Sequence, residues 1–136
     1  MNYLVDANIL SETTKPSPDP RVVQWLGRHE PSLFVTPIIL GELQYGILSL
    51  AAGRKKTRLL EWFAAGSEKL AVWDVDAGTA AEWAKLLAEL RRKGRAMPIK
   101  DSLIAASARQ HSAAIATRNT DDYRHAGVPL VNPFAD

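Results

Sequence analysis

Short apolar runs alternate along the chain with stretches in which apolar residues recur every three or four positions. That alternation predicts strands separated by helices. Tyr3-Leu4-Val5, Leu33-Phe34-Val35, Leu70 to Trp73, Ala114-Ile115-Ala116 and Leu130-Val131 read as short strands. Asp6 and Asn8, which follow the first run, read as turn residues. Val22, Val23, Trp25 and Leu26 follow Pro20 at helical spacing. After the second strand, Thr36 can cap a helix and Pro37 can occupy its first turn, with Ile38, Ile39, Leu43, Ile47, Leu48 and Leu50 carrying it toward Ala52 and Gly53 stopping it. Leu59, Leu60, Trp62 and Phe63 suggest another helix. Asp76 opens the longest periodic stretch: Ala80, Trp83, Leu86, Leu87 and Leu90 share one face, and Gly94 ends it. A last helix runs from Asp101 to about His111. Strands that alternate with helices predict an α/β domain, a parallel sheet covered on both faces.

Composition narrows the chemistry. With 136 residues, the chain has the size of one domain, residues 1–136, and no repeat or linker divides it. The absence of cysteine removes disulfides, thiolate ligands and cysteine nucleophiles together, leaving oxygen ligands for any metal. The opening MNYLVDANIL has no basic segment before its apolar residues and is interrupted by Asp6, so neither a signal peptide nor a membrane span is expected and the protein should remain in the cytoplasm. Net charge is only +2, but Arg54-Lys55-Lys56 with Arg58, and Arg91-Arg92-Lys93 with Arg95, concentrate positive charge. These segments are either solvated helix ends or contacts for phosphates or an acidic partner.

In a parallel sheet, ligands bind beyond the carboxyl ends of the strands. Asp6 lies just past the first strand, and Thr117-Arg118-Asn119 just past Ala114-Ile115-Ala116, so both belong to that rim. Glu42 in the second turn of its helix and Asp101 at the start of another face the same rim if those helices begin there. Each acid also has a structural reading. Asp101 before Ser102 suits an N-cap and Asp6 suits a turn, whereas Glu42, set among Leu40, Leu43 and Ile47, needs a partner if buried. Three carboxylates about 5 Å apart would repel by roughly 3 kcal/mol per pair at an effective dielectric near 20, which favours a cation between them.

The ordered set LVDANILSE, GELQYGI, KDSLIAASA, ATRNTDDY and VNPF, spread from Met1 nearly to the C-terminus, resembles the PIN-domain family, and most closely its VapC-type toxins. The resemblance implies a three-layer α/β sandwich with a central parallel sheet. It also implies an endoribonuclease dependent on Mg²⁺ or Mn²⁺, which cuts RNA when freed from a cognate antitoxin and forms a homodimer. Asp6, Glu42 and Asp101 match the family's acidic metal-site positions. The fourth acidic position falls on Asn119, where this sequence departs from the all-acid form. An amide oxygen can ligate a cation or hold a water but brings no charge, which leaves less charge for a second metal, with Asp121 or Asp122 as nearby substitutes.

The residue types suit phosphodiester hydrolysis by an activated water, with no side-chain nucleophile. Asn8 can orient a ligand carboxylate or serve only as a turn amide, and Thr117 and Arg118 are candidates to meet a phosphate, Arg118 by a bidentate contact. The three histidines form no metal-spaced pair. Three other readings compete. A haloacid-dehalogenase-like phosphatase needs a second Asp where Asn8 stands. A receiver domain needs Lys and Asp in another order than Lys100-Asp101. A non-catalytic RNA-binding or scaffold domain draws on the uncharged Asn119.

Overall fold

Five apolar segments, each of two or three residues, assemble one sheet in the computed structural model, which describes residues 1–136. The strands are β1 (Tyr3–Val5), β2 (Leu33–Val35), β3 (Ala71–Val72), β4 (Ala114–Ala116) and β5 (Leu130–Val131), ordered β3-β2-β1-β4-β5. All four pairings are parallel, with Tyr3 opposite both Leu33 and Ala114. Parallel pairing requires crossovers, which the helices provide: α1 (Ala7–Glu12), α2 (Pro20–His29), α3 (Pro37–Leu48), α4 (Arg54–Ser67), α5 (Ala77–Arg92) and α6 (Ile99–Gln110). The result is the α/β sandwich expected from the alternation of elements.

Alternation of side chains along the central strands fills both faces. Leu4 and Ile115 join Ile39, Leu86, Leu90 and Ile104 in the larger core, whereas Val5 joins Ile9, Val22 and Phe134 in a smaller one. Small residues on α6, including Ala105 and Ala108, are wholly buried and let α5 and α6 approach closely. Polar links fix their register: the Trp83 indole donates to Ser102 Oγ at 2.9 Å, and Arg109 binds both carboxylate oxygens of Glu89 at 2.9 Å. Beside Arg109, Gln110 donates its amide to Asp76, the cap of α5, at 2.8 Å. This clamp holds α6, the helix that carries Asp101, against α5.

Three local features differ from the pattern-based expectation. The segment after β1 is not a simple turn: Asp6 is the N-cap of α1. That helix is too short, and too rich in polar residues such as Asn8 and Ser11, for an apolar periodicity to reveal it. The third helix closes at Leu48, short of Ala52, where Ser49 donates its hydroxyl to Tyr45 O. Asp101 is not a cap either, because α6 starts two residues earlier after Pro98, which disfavours helical backbone in Met97 before it. No helix is long and apolar enough to cross a membrane.

Candidate active site

Parallel register carries β1 and β4 to the same edge, where the Asp6 amide donates to Ala116 O at 2.9 Å and the Thr117 amide to Val131 O at 3.0 Å. Asp6 is only 6% exposed, and each carboxylate oxygen is held. Oδ1 accepts from the Ala7 amide at 2.8 Å; Oδ2 accepts from Thr117 Oγ1 at 2.7 Å and from Asn8 Nδ2 at 3.4 Å. The wholly buried Thr117 hydroxyl in turn accepts from the Asn119 amide at 3.0 Å. Asn8 Oδ1 accepts from the Arg118 amide at 3.0 Å. Thr117 therefore supports Asp6 from a buried position. The Arg118 guanidinium lies over the Phe134 ring, 4.5 Å from its centre.

Glu42 reaches the edge from the second turn of α3, whose start is set by the Thr36 cap, and Asp101 reaches it from the first turn of α6. Asp6, Asn8, Glu42, Asp101, Asn119 and Asp122 line one groove of about 570 Å³. Leu43, Ile47, Leu50, Leu59 and Trp62 form its apolar wall, and Lys15, Lys55 and Lys100 add positive charge. Asp121 has its side chain 91% exposed beside Arg124 at 3.9 Å and does not line the groove, so of the two acids only Asp122 shares it with Asn119.

Two further groove residues were not singled out by the sequence pattern. Lys100 Nζ lies 2.9 Å from Glu42 Oε2, and Tyr123 is buried at the groove floor. Both contacts depend on chain segments far apart in sequence; only the adjacency of Lys100 to Asp101 hinted at the first.

The electrostatics reflect crowded acids at a partly dry edge. Burial pushes the Glu42 carboxyl up; Lys100 draws it down, and the charges of Asp6 and Asp101 push it up further. Burial also raises Asp101, with Asp122 and Asp6 acting in the same direction and Lys100 and Tyr123 against it. The Tyr123 hydroxyl is raised by burial and then by Asp6, Asp101, Glu42 and Asp122, a group that surrounds it with negative charge. Glu42 Oε1 is buried with no hydrogen-bond partner. The acids are not closed on a common point: no three acidic or imidazole side chains form a preassembled metal cage. Lys100 Nζ occupies Glu42 Oε2, and like-charged carboxylates in one groove repel one another. The donor set remains a fit for a hard divalent cation, since it offers carboxylate and amide oxygens and one orphaned, buried oxygen on Glu42.

Residues 3–128 match the model of the PIN domain family. The chain is 33% identical to Toxin FitB of Neisseria gonorrhoeae, an alignment covering 98% of this chain and 99% of that protein. It is 31% identical to VapC ribonuclease Y4jK of Sinorhizobium fredii, with 96% of each chain covered. The crystal structure of FitAcB from Neisseria gonorrhoeae has a TM-score of 0.90 to it at 32% identity, covering 98% of this chain and 99% of that one. A family match over residues 3–128, together with relatives aligned over 96% and 98% of the chain, shows that the chain belongs to the PIN-domain family, where it groups with the FitB and VapC proteins.

Proposed function

We propose that this protein is the toxin of a toxin-antitoxin pair, a metal-dependent endoribonuclease whose residues 1–136 act as one nuclease domain. The observation that carries the reading is the convergence of Asp6, Glu42 and Asp101 from three separate elements on one groove at the carboxyl edge of the sheet. Asp6, Glu42 and Asp101 would hold Mg²⁺ or Mn²⁺, with Asn119 as a neutral oxygen donor and Asp122 beside it. Such a cation supplies water activation and neutralises charge developing on a phosphate.

The chain's own residues do the rest. Asn8 and Thr117 fix the Asp6 carboxylate through its Oδ2. A carboxylate so held is oriented before any ligand arrives, which lowers the reorganisation required on binding. The apolar wall from Leu43 to Trp62 limits water on one side of the groove, strengthening charge interactions within it. Arg118, whose guanidinium rests on the Phe134 ring, would take a neighbouring phosphate of the RNA strand by its planar fork.

Relatives named as toxin and ribonuclease support the same reading; a solved structure described as a member of the VapBC family of toxin-antitoxin systems supports a cognate antitoxin as partner, and activity in the cytoplasm is part of the proposal. A homodimer is part of it, supported by Tyr45, Leu48 and Ile99, large apolar side chains that the monomer leaves exposed. Cleavage of a tRNA pool by purified protein with Mn²⁺ tests the assignment. Asp6→Asn and Asp101→Asn should each abolish cleavage and growth arrest with the fold retained by circular dichroism. Retained cleavage in both variants sinks it. A second reading, a non-catalytic RNA-binding scaffold, draws on Asn119 in place of a fourth acid; it predicts RNA binding without new 5′ ends in the same experiment.

A further inference from the structure

The residue before Asp101 is a lysine, and its position is electrostatically costly on local grounds. Lys100 sits in the first turn of α6, where the exposed amide groups of the helix end already present positive charge and no side chain caps them. A neighbour must offset this, and the structure shows which one. Lys100 Nζ meets Glu42 Oε2 at 2.9 Å, while its own side chain remains 53% exposed in the groove beside Asp6, Asp101 and Asn119. One ammonium satisfies one oxygen: Glu42 Oε1 stays buried without a partner. The ammonium thus stands against the same carboxylate that a divalent cation would use. Two cations at one carboxylate repel each other, so binding of one loosens the other.

We propose that Lys100 is a functional member of this site: its ammonium is the counter-ion of Glu42 in the metal-free protein, gives up that carboxylate to a divalent cation, and then faces an RNA phosphate in the groove. The inference rests on reading the groove as a metal-dependent nuclease site. Its two halves follow from the same geometry. A flexible four-carbon stem with half its surface in solvent can leave Glu42 without unfolding anything, and a freed ammonium at the groove wall is a point charge suited to phosphate. Lys100 lowers metal affinity and raises RNA affinity in one move. Cleavage then requires metal to be abundant enough to displace an internal competitor.

The experiment compares wild type, Lys100→Met and Lys100→Arg as full-length purified proteins. Calorimetric titration with Mn²⁺ alone reads metal affinity without reference to activity, and steady-state cleavage of a labelled RNA at saturating Mn²⁺ reads KM and kcat. Loss of a partly exposed ion pair with Glu42 should tighten Mn²⁺ binding by about fivefold in Lys100→Met, while Lys100→Arg stays near wild type. KM of Lys100→Met should rise by a similar factor, more than kcat falls, and Lys100→Arg should restore it. Equal or weaker Mn²⁺ binding by Lys100→Met overturns the exchange, and an unchanged KM overturns the phosphate contact. No Mn²⁺ binding by wild type would overturn the metal-site reading and this inference with it; equal binding by wild type and Lys100→Met overturns the inference alone.

Discussion

Asp6 shows how much a single carboxylate depends on its neighbours. Its Oδ2 receives a 2.7 Å hydrogen bond from Thr117, a residue placed beside it only by the pairing of β1 with β4. Thr117→Val keeps the shape of that side chain but removes the donor, so Asp6 should lose orientation and the Asn119 amide should lose its acceptor. We expect Thr117→Val to lower RNA cleavage by about 10 to 100-fold, the range found when groups orienting metal ligands are removed. Cleavage rates of folded wild type and variant, at several Mn²⁺ concentrations, check it; unchanged rates would show that Asp6 needs no such support. That Thr117 lies at the rim is readable from its place after an apolar triplet. That its hydroxyl turns inward to Asp6 is not, because side-chain direction at a strand end follows from the partner across the gap.

Among the elements, α5 packs against α6, the helix that carries Asp101, and Asp76 joins the two. Its carboxylate accepts from the Thr79 amide and the Gln110 amide, and the Thr79 hydroxyl returns a bond to the Asp76 amide as acceptor. The backbone bond from Thr79 is the largest influence holding the Asp76 carboxyl below its ordinary value, followed by Gln110. A carboxyl whose folded pKa is depressed contributes stability above its unfolded pKa and loses it as pH falls through the folded one. The relevant window therefore opens near pH 3.8 and extends downward. Asp76→Asn can still cap but does not titrate, so its stability should fall less steeply over that window than that of wild type. Thermal melts at closely spaced acidic pH values measure the difference, and parallel curves would assign the acid sensitivity to other groups. The cap itself was legible, since Asp76 precedes a long amphipathic stretch; its tie to Gln110 needed the helices to pack antiparallel.

For the molecule as a whole, the groove couples folding to ligand. The folded chain holds Asp6, Glu42, Asp101 and Asp122 along one groove, an arrangement the unfolded chain does not impose. A cation that binds only the folded form, present at about 100 times its dissociation constant, should stabilise the protein by roughly 2.7 kcal/mol. Tm should rise with Mn²⁺ in wild type and rise much less in Asp6→Asn, as scanning calorimetry would show. Equal shifts in the two proteins would place the ions elsewhere.

The division between chain and fold is itself physical. Local sequence determined the alternation of strands and helices, the caps at Thr36 and Asp76, and the location of Asp6 just beyond a strand, because these follow from side-chain periodicity and from bonds between near neighbours. The ordered motifs also carried the family and with it the three acids. Tertiary structure alone decided that the Thr117 hydroxyl binds Asp6, that Asp122 and not Asp121 faces the groove, that Tyr123 lies among the carboxylates, and that Lys100 reaches Glu42. Those contacts join residues distant in sequence, and their energies depend on burial and charge proximity, which exist only once the sheet has brought the rim together.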